Sequence, residues 1–133
     1  MSPIPDRTCG LLHRAMALRL DRMHLLASNI ANVDTPGYTP VDMDFEQVFV
    51  RSLEAEAGLA RTSERHLTAA PLREESAGLY YDPAGTPGLD GNTVSLDRET
   101  AKMSENMLQY DAAARALQKK LAMLRYAVND GGV

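Results

Sequence analysis

With 133 residues, 44% hydrophobic and 24% charged, the chain is expected to form one domain with an ordinary core. A net charge of −4 argues against nucleic acid as a partner, because phosphate binding needs clustered Lys and Arg, and the single cysteine, Cys9, excludes an intramolecular disulfide. Aromatic residues are sparse at 5% while methionine is generous at seven, which favours helices over sheets as the source of the core.

The first thirty residues carry Arg7, His13, Arg14, Arg19, Asp21, Arg22 and His24. They lack the apolar stretch of about seven residues that a cleaved secretory signal needs. No run approaches the roughly 18 apolar residues of a membrane span, so no direct span is expected. Leu12, Met16, Met23, Leu26, Ile30 and Val33 fall on alternating steps of four and three, with Cys9 and Arg19 completing the series. This rhythm predicts a helix over about 9–33. Arg19 is a flaw in the stripe, though its stem can lie along apolar surface. A second stripe, Leu11, Ala15, Leu18 and Leu25, widens the apolar face beyond what one partner helix covers.

The helix then meets Asn29 and Asn32 and must stop before Pro36, which lacks a backbone donor and pushes Thr35 out of the helical region. Thr35-Pro36-Gly37-Tyr38 predicts a type II turn in which Gly37 supplies the positive φ. Two asparagines three apart weaken a helix. Either Asn32 caps a frayed end, or the amides bond the backbone of the returning loop or of an adjacent chain. Both readings stand on sequence alone.

Over 34–57 the turn leads into an extended segment and a short helix. Val41, Met43 and Phe45 alternate with Asp42 and Asp44, predicting one buried and one solvent-facing side. Asp44 and Gln47 have capping-box spacing, and Phe45, Val48, Phe49 and Leu53 sit at helical spacing, predicting a helix to about Ala57. Residues 58–95 are rich in Gly, Pro, Ser and Thr and are expected to be mostly irregular or mobile, with a tight-turn signal at Leu89-Asp90-Gly91-Asn92.

The clearest periodicity comes last. Met103, Met107, Tyr110, Ala114, Leu117, Leu121, Leu124 and Val128 keep the four-three rhythm for almost four heptads, the seam of a coiled coil on a helix over 96–129 about 50 Å long. The expected fold is therefore mainly α. Long N- and C-terminal helices pair as a coiled coil around a partly extended, loop-rich middle. Alanines off the seam let further helices approach.

Chemistry is scarce. His13 and His24 lie about 16 Å apart along their helix and cannot share an ion, and His66 has no nearby Cys or carboxylate pair. Cys9 reads as a small buried hydrophobe, Ser28 lacks a nucleophile elbow, and the Asp42/Asp44 and Glu74/Glu75 pairs sit in surroundings that would not split their pKa values. No residue set meets the first geometric requirements of an active site, so the reading is not an enzyme, with no catalytic residue, cofactor or metal.

The string Asn29-Ile30-Ala31-Asn32 followed by Asp34-Thr35-Pro36-Gly37-Tyr38 resembles the N-terminal signature of bacterial flagellar rod and hook proteins. Asp42-Met43-Asp44-Phe45, Thr62-Ser63-Glu64-Arg65-His66-Leu67 and the stretch from Asp90 to Glu99, with Asn106 and Tyr110 beyond it, are similar to the proximal-rod branch. The resemblance implies a subunit that polymerises helically into the rod crossing the periplasm. Its terminal helices would line the inner tube and carry the assembly seam. It implies export through the flagellar type III apparatus without a cleaved signal peptide, and Phe45-Glu46-Gln47-Val48-Phe49 matches the family's export-gate motif. The implied partners are copies of the chain, other proximal rod proteins, the membrane-ring protein with its adaptor, and the export gate. A rival reading is a soluble cytoplasmic coiled-coil adaptor or export chaperone that binds partner helices.

Overall fold

The structure is a computed structural model that describes residues 7–59, 78–83 and 86–130. Its elements in order are α1 (Arg7–Ala31), β1 (Val41–Met43), α2 (Phe45–Leu59), β2 (Leu79–Tyr81) and α3 (Leu96–Asp130). The Thr62–Leu67 patch and His66 lie outside the described residues.

Asn29 of α1 meets Glu99 of α3, and the Arg19 carbonyl meets Asn106, so the two long helices run antiparallel. The α1 stripe faces inward as its rhythm predicts: Leu26 is fully buried, and Cys9, Leu12, Met16, Arg19, Met23 and Ile30 are half-buried, as is Val33 in the turn beyond the helix, which ends two residues before the expected 33. At 35 residues against 25, α3 outruns its partner, and residues 121–129 are all exposed.

Two features of the middle differ from expectation. Part of the stretch expected to be irregular forms β2, which pairs antiparallel with β1 in the register Val41↔Tyr81, Asp42↔Tyr80, Met43↔Leu79. The flanking bonds Asp82 N–H to Pro40 O and Asp44 N–H to Gly78 O, both 2.9 Å, extend this ladder. Asp42, expected on the solvent side, is 1% exposed. It turns instead toward Arg22 of α1 and Lys102 of α3, so cations on the two long helices supply the counter-charge.

The start of α2 follows its sequence. Asp44 is the N-cap, its Oδ1 accepting the Gln47 N–H at 3.0 Å and its carbonyl accepting the Val48 N–H. The other half of the expected capping box is replaced, since the Asp44 N–H goes to Gly78. α2 continues to Leu59, two residues past the expected end. Arg14 on α1 donates to the Ser52 carbonyl and ties α2 to the bundle.

The interior corrects the expectation of an ordinary core. Among the described residues the buried apolar side chains are Leu26, Met43 and Pro40, whereas Asn29, Asp42, Asn92, Glu99 and Asn106 are buried and polar. No buried polar side-chain atom among the described residues lacks a hydrogen-bond partner. Where α1 meets the middle, a satisfied polar network does the work usually left to apolar packing.

Candidate functional site

The polar network gathers at the exit of α1. The helix ends at Ala31, and its last carbonyls are satisfied by tight turns: Asn32 N–H to Ser28 and Asn29, Val33 N–H to Ile30, and Thr35 N–H to Asn32. Thr35–Tyr38 then forms the predicted turn, with Gly37 at φ +70° and the Tyr38 N–H bonded to the Thr35 carbonyl at 3.3 Å. Asp34, Thr35, Pro36 and Gly37 are exposed, and Tyr38 is half-buried.

The two asparagines divide the two sequence readings between them. Asn32 serves its own helix end, donating from Nδ2 to the Ser28 carbonyl at 2.8 Å and accepting from Thr35 Oγ1 at 3.0 Å. Asn29 instead grips the returning loop. Its Nδ2 donates to the Val41 carbonyl and to Glu99 Oε2, both at 2.8 Å. Its Oδ1 accepts from the Val41 N–H at 3.0 Å and the Tyr38 hydroxyl at 3.2 Å. Val41 points both backbone groups away from β2, so the Asn29 amide acts as a surrogate strand on the outer edge of β1.

Asn92, whose role is not readable from sequence, closes the exit from the far side. Its Nδ2 donates to the carbonyls of Asn32, Val33 and Thr35 at 3.0, 2.9 and 2.7 Å, two protons shared over three acceptors. Its Oδ1 accepts from the Val94 N–H at 2.7 Å. Around it, the Gly37 N–H bonds the Asp90 carbonyl and the Thr93 N–H bonds that of Tyr38. The carbonyls of the turn that follows α1 are thus capped by a side chain about sixty positions away.

Below the clasp lies an ion network. Arg22 grips Asp42 bidentately, Nε–Oδ1 at 2.8 Å and Nη2–Oδ2 at 2.9 Å. Lys102 reaches Asp42 at 3.3 Å, Asp82 at 2.6 Å and Glu99 at 3.0 Å, and Arg98 pairs with Asp82 at 3.0 Å. The three cations balance the three carboxylates. Burial by itself would raise the Asp42 pKa, but the Arg22 hydrogen bond, the Met43 N–H and the charges of Arg22 and Lys102 outweigh it and hold the carboxyl below its ordinary value. Burial would likewise lower Lys102, and its hydrogen bonds to Asp82 and Glu99 reverse the sign and raise it. Arg22 is raised by its hydrogen bond to Asp42, and the phenol of Tyr80 is raised by burial. Composition offers no cue to this pairing; the alternation over 41–45 pointed the other way.

One turn further along α1, Asn106 Nδ2 donates to the Arg19 carbonyl at 2.7 Å, and the Arg19 guanidinium lies 3.6 Å over the Phe45 ring. Burial lowers the pKa of Arg19. Phe45 stacks on Phe49 with centroids 5.7 Å apart. The flaw in the α1 stripe is therefore where α2 docks. Of the α3 seam positions, Met103, Tyr110 and Leu117 are half-buried, while Met107, Leu121, Leu124 and Val128 are exposed. Met107 departs from the expected seam, because polar Asn106 takes the inward place beside α1.

No group of three His, Cys, Asp or Glu side chains that could hold a metal occurs among the described residues. The side chains gathered here instead pin backbone segments from across the chain, and the architecture defined is that of an elongated, helical structural subunit. The family described as "Flagella basal body rod protein" matches residues 12–39, which span most of α1 and the exit turn. Flagellar basal body rod protein FlgB of Escherichia coli strain K12 is 38% identical over 132 residues, covering 95% of this chain and 96% of that protein. FlgB of Salmonella typhimurium is 37% identical over the same shares, and FlgB of Cereibacter sphaeroides 38% identical over 90% of this chain and 91% of its own. The chain belongs to the flagellar basal-body rod proteins. It is thus a structural subunit of the rod in the basal body of a bacterial flagellum, acting in motility and assembling with other rod proteins, in a family that is not one of enzymes. No helix among the described residues is long and apolar enough to cross a membrane.

Proposed function

We propose that this subunit polymerises helically in the periplasmic part of the rod. The α1–α3 pair packs against its neighbours, transmits torque and forms the wall of the export channel. The observation that carries this reading is the open end of the α3 seam, where Leu121, Leu124 and Val128 continue the four-three rhythm past the start of α1 and lie exposed. A coiled-coil seam left open among the described residues is completed by another chain. The clasp through Asn29, Asn32, Asp34, Thr35, Pro36, Gly37 and Tyr38 fixes how α1 turns into β1, so assembly presents one geometry. Neighbours in this reading are other proximal rod proteins and the membrane-ring protein with its adaptor. Phe45 and Phe49 form the export-gate motif of a chain exported without cleavage of a signal peptide. Both rings are half-buried against Arg19 and each other, so the gate would meet them before the subunit folds.

Two variants in cells lacking their own copy separate assembly from export. Leu121→Glu puts a carboxylate on a surface exposed in the free subunit but buried in the rod, so it should leave folding and secretion intact and abolish flagella. Phe45→Ala should leave the protein inside the cell. Normal swimming with Leu121→Glu would remove the seam from assembly, and undiminished secretion with Phe45→Ala would leave Phe45 a purely structural role.

A further inference from the structure

The strand β2 lies along β1 but buries none of its own side chains: Leu79 is half-buried, and Tyr80 and Tyr81 are exposed. The register makes Asp42 and Tyr80 the hydrogen-bonded pair between the Pro40–Asp82 and Asp44–Gly78 bonds. A two-stranded ladder this short is marginal in water, so it persists only through whatever fixes its strands.

The two strands are fixed by different means. β1 lies on α1, where Met43 is buried, Asn29 takes both backbone groups of Val41, and Arg22 grips Asp42. β2 has one packed end at Gly78, which is buried at φ +76° and where a Cβ would lie 2.5 Å from Val48 Cγ2. Just past its other end, Asp82 is clamped by two cations one turn apart on α3. Arg98 Nη2 lies 3.1 and 3.0 Å from its two carboxylate oxygens, and Lys102 Nζ lies 2.6 Å from Oδ2.

This clamp is the one part of the ion network that can open without stranding a buried charge. When Asp82 leaves, Lys102 keeps Asp42 at 3.3 Å and Glu99 at 3.0 Å, and the Arg98 side chain, 46% exposed, turns to water. Parting Arg22 from Asp42 would instead disrupt the bidentate pair of a carboxylate that is 1% exposed.

We propose that β2 is a latched strap. It swings from Gly78 when the Asp82 carboxylate leaves Arg98 and Lys102, while β1 and the α1–α3 pair stay folded. Opening bares the inner edge of β1, with the Asp42 N–H and carbonyl and the Pro40 carbonyl, as a short strand acceptor. The subunit can thus rearrange its middle without parting its two long helices. The strap belongs to the single copy, so it stands or falls independently of the rod reading.

Hydrogen exchange of the full purified chain, resolved by residue with nuclear magnetic resonance, tests it. Asp82→Ala removes the group that both cations hold. The amides of Asp42 and Tyr80 should then exchange about tenfold faster or more, as expected for losing a charged hydrogen-bond partner, while those of Leu26 and Asn106 keep their wild-type rates. Raising NaCl from about 0.05 M to about 1 M should speed Asp42 and Tyr80 relative to Leu26 in the wild type, because the Arg98 side of the latch is open to screening, and should not do so in Asp82→Ala. Unchanged exchange at Asp42 and Tyr80 in the variant, or an equal gain at Leu26 and Asn106, overturns the strap. The same salt response in both proteins also overturns it.

Discussion

Asn29→Ala should destabilise the subunit far more than Asn32→Ala, although the two residues are identical and one helical turn apart. Asn29 is 1% exposed, and truncation orphans the Val41 N–H, the Val41 carbonyl and one oxygen of the Glu99 carboxylate. A stranded neutral group costs about 1 kcal/mol and a charged one about 2 kcal/mol, so the loss should be about 4 kcal/mol. The Tyr38 hydroxyl, half-buried, can turn to water and adds little. Asn32→Ala removes one exposed bond to Ser28 and one to Thr35, and should cost about 0.5–1 kcal/mol. Thermal unfolding of the purified chain followed by circular dichroism reads both. At about 4 °C per kcal/mol for a chain of this size, Asn29→Ala should lower Tm by about 15 °C and Asn32→Ala by no more than about 4 °C. Asn29→Asp is the sharper variant, since it sets a second carboxylate against Glu99 and the Val41 carbonyl, and it should be at least as damaging. Equal losses for the two alanine variants would refute the assignment of the surrogate strand bond to Asn29.

Two further outcomes follow from the same geometry. The Asp42 pKa lies below its ordinary value, so the stability it contributes is fully present above about pH 4 and is lost as pH falls through its folded value. Lys102 is shifted upward, so its contribution is fully present below about pH 10.4 and is lost as pH rises through its folded value. Urea unfolding across pH should show Asp42→Asn flattening the acid limb and Lys102→Met the alkaline limb; limbs that match the wild type would show the pairs to be energetically idle. Gly78→Ala and Gly37→Ala both force alanine into positive φ, at about 1 kcal/mol each. At Gly78 the new Cβ would also lie 2.5 Å from Val48 Cγ2, whereas at Gly37 nothing lies within 4 Å. Gly78→Ala should therefore be the worse of the two by denaturation midpoint, and the reverse order would mean that the β2–α2 approach is looser than described.

The two long helices were legible because their signal is local and repeated. The α1 stripe from Cys9 to Val33 faces inward at every position named from its rhythm. The exit turn was legible for a different reason: Pro36 and Gly37 restrict their own dihedrals whatever surrounds them. The α3 stripe shows where such reasoning stops. Met103, Tyr110 and Leu117 are half-buried, but Met107 turns outward beside an inward Asn106, because a hydrophobic period cannot foresee an asparagine that finds a backbone carbonyl across the interface. Asp42 misled for a related reason, as alternation assumes that polar means solvent-facing. Arg22, twenty residues earlier, and Lys102, sixty residues later, make the opposite true.

What the sequence determined by itself is helical class, the inward stripe of α1, the need for that helix to stop before Pro36, and, through its motifs, kinship with rod proteins. Each of these depends on steric and periodic rules that act over a few residues. Which asparagine caps the helix and which grips the strand, how Asn92 closes the α1 exit from sixty positions away, and how three cations neutralise three carboxylates around Lys102 were decided by tertiary structure alone. Hydrogen bonds and ion pairs carry no sequence period. They form wherever folding brings donors to acceptors, and burial then makes each one costly to leave unmade.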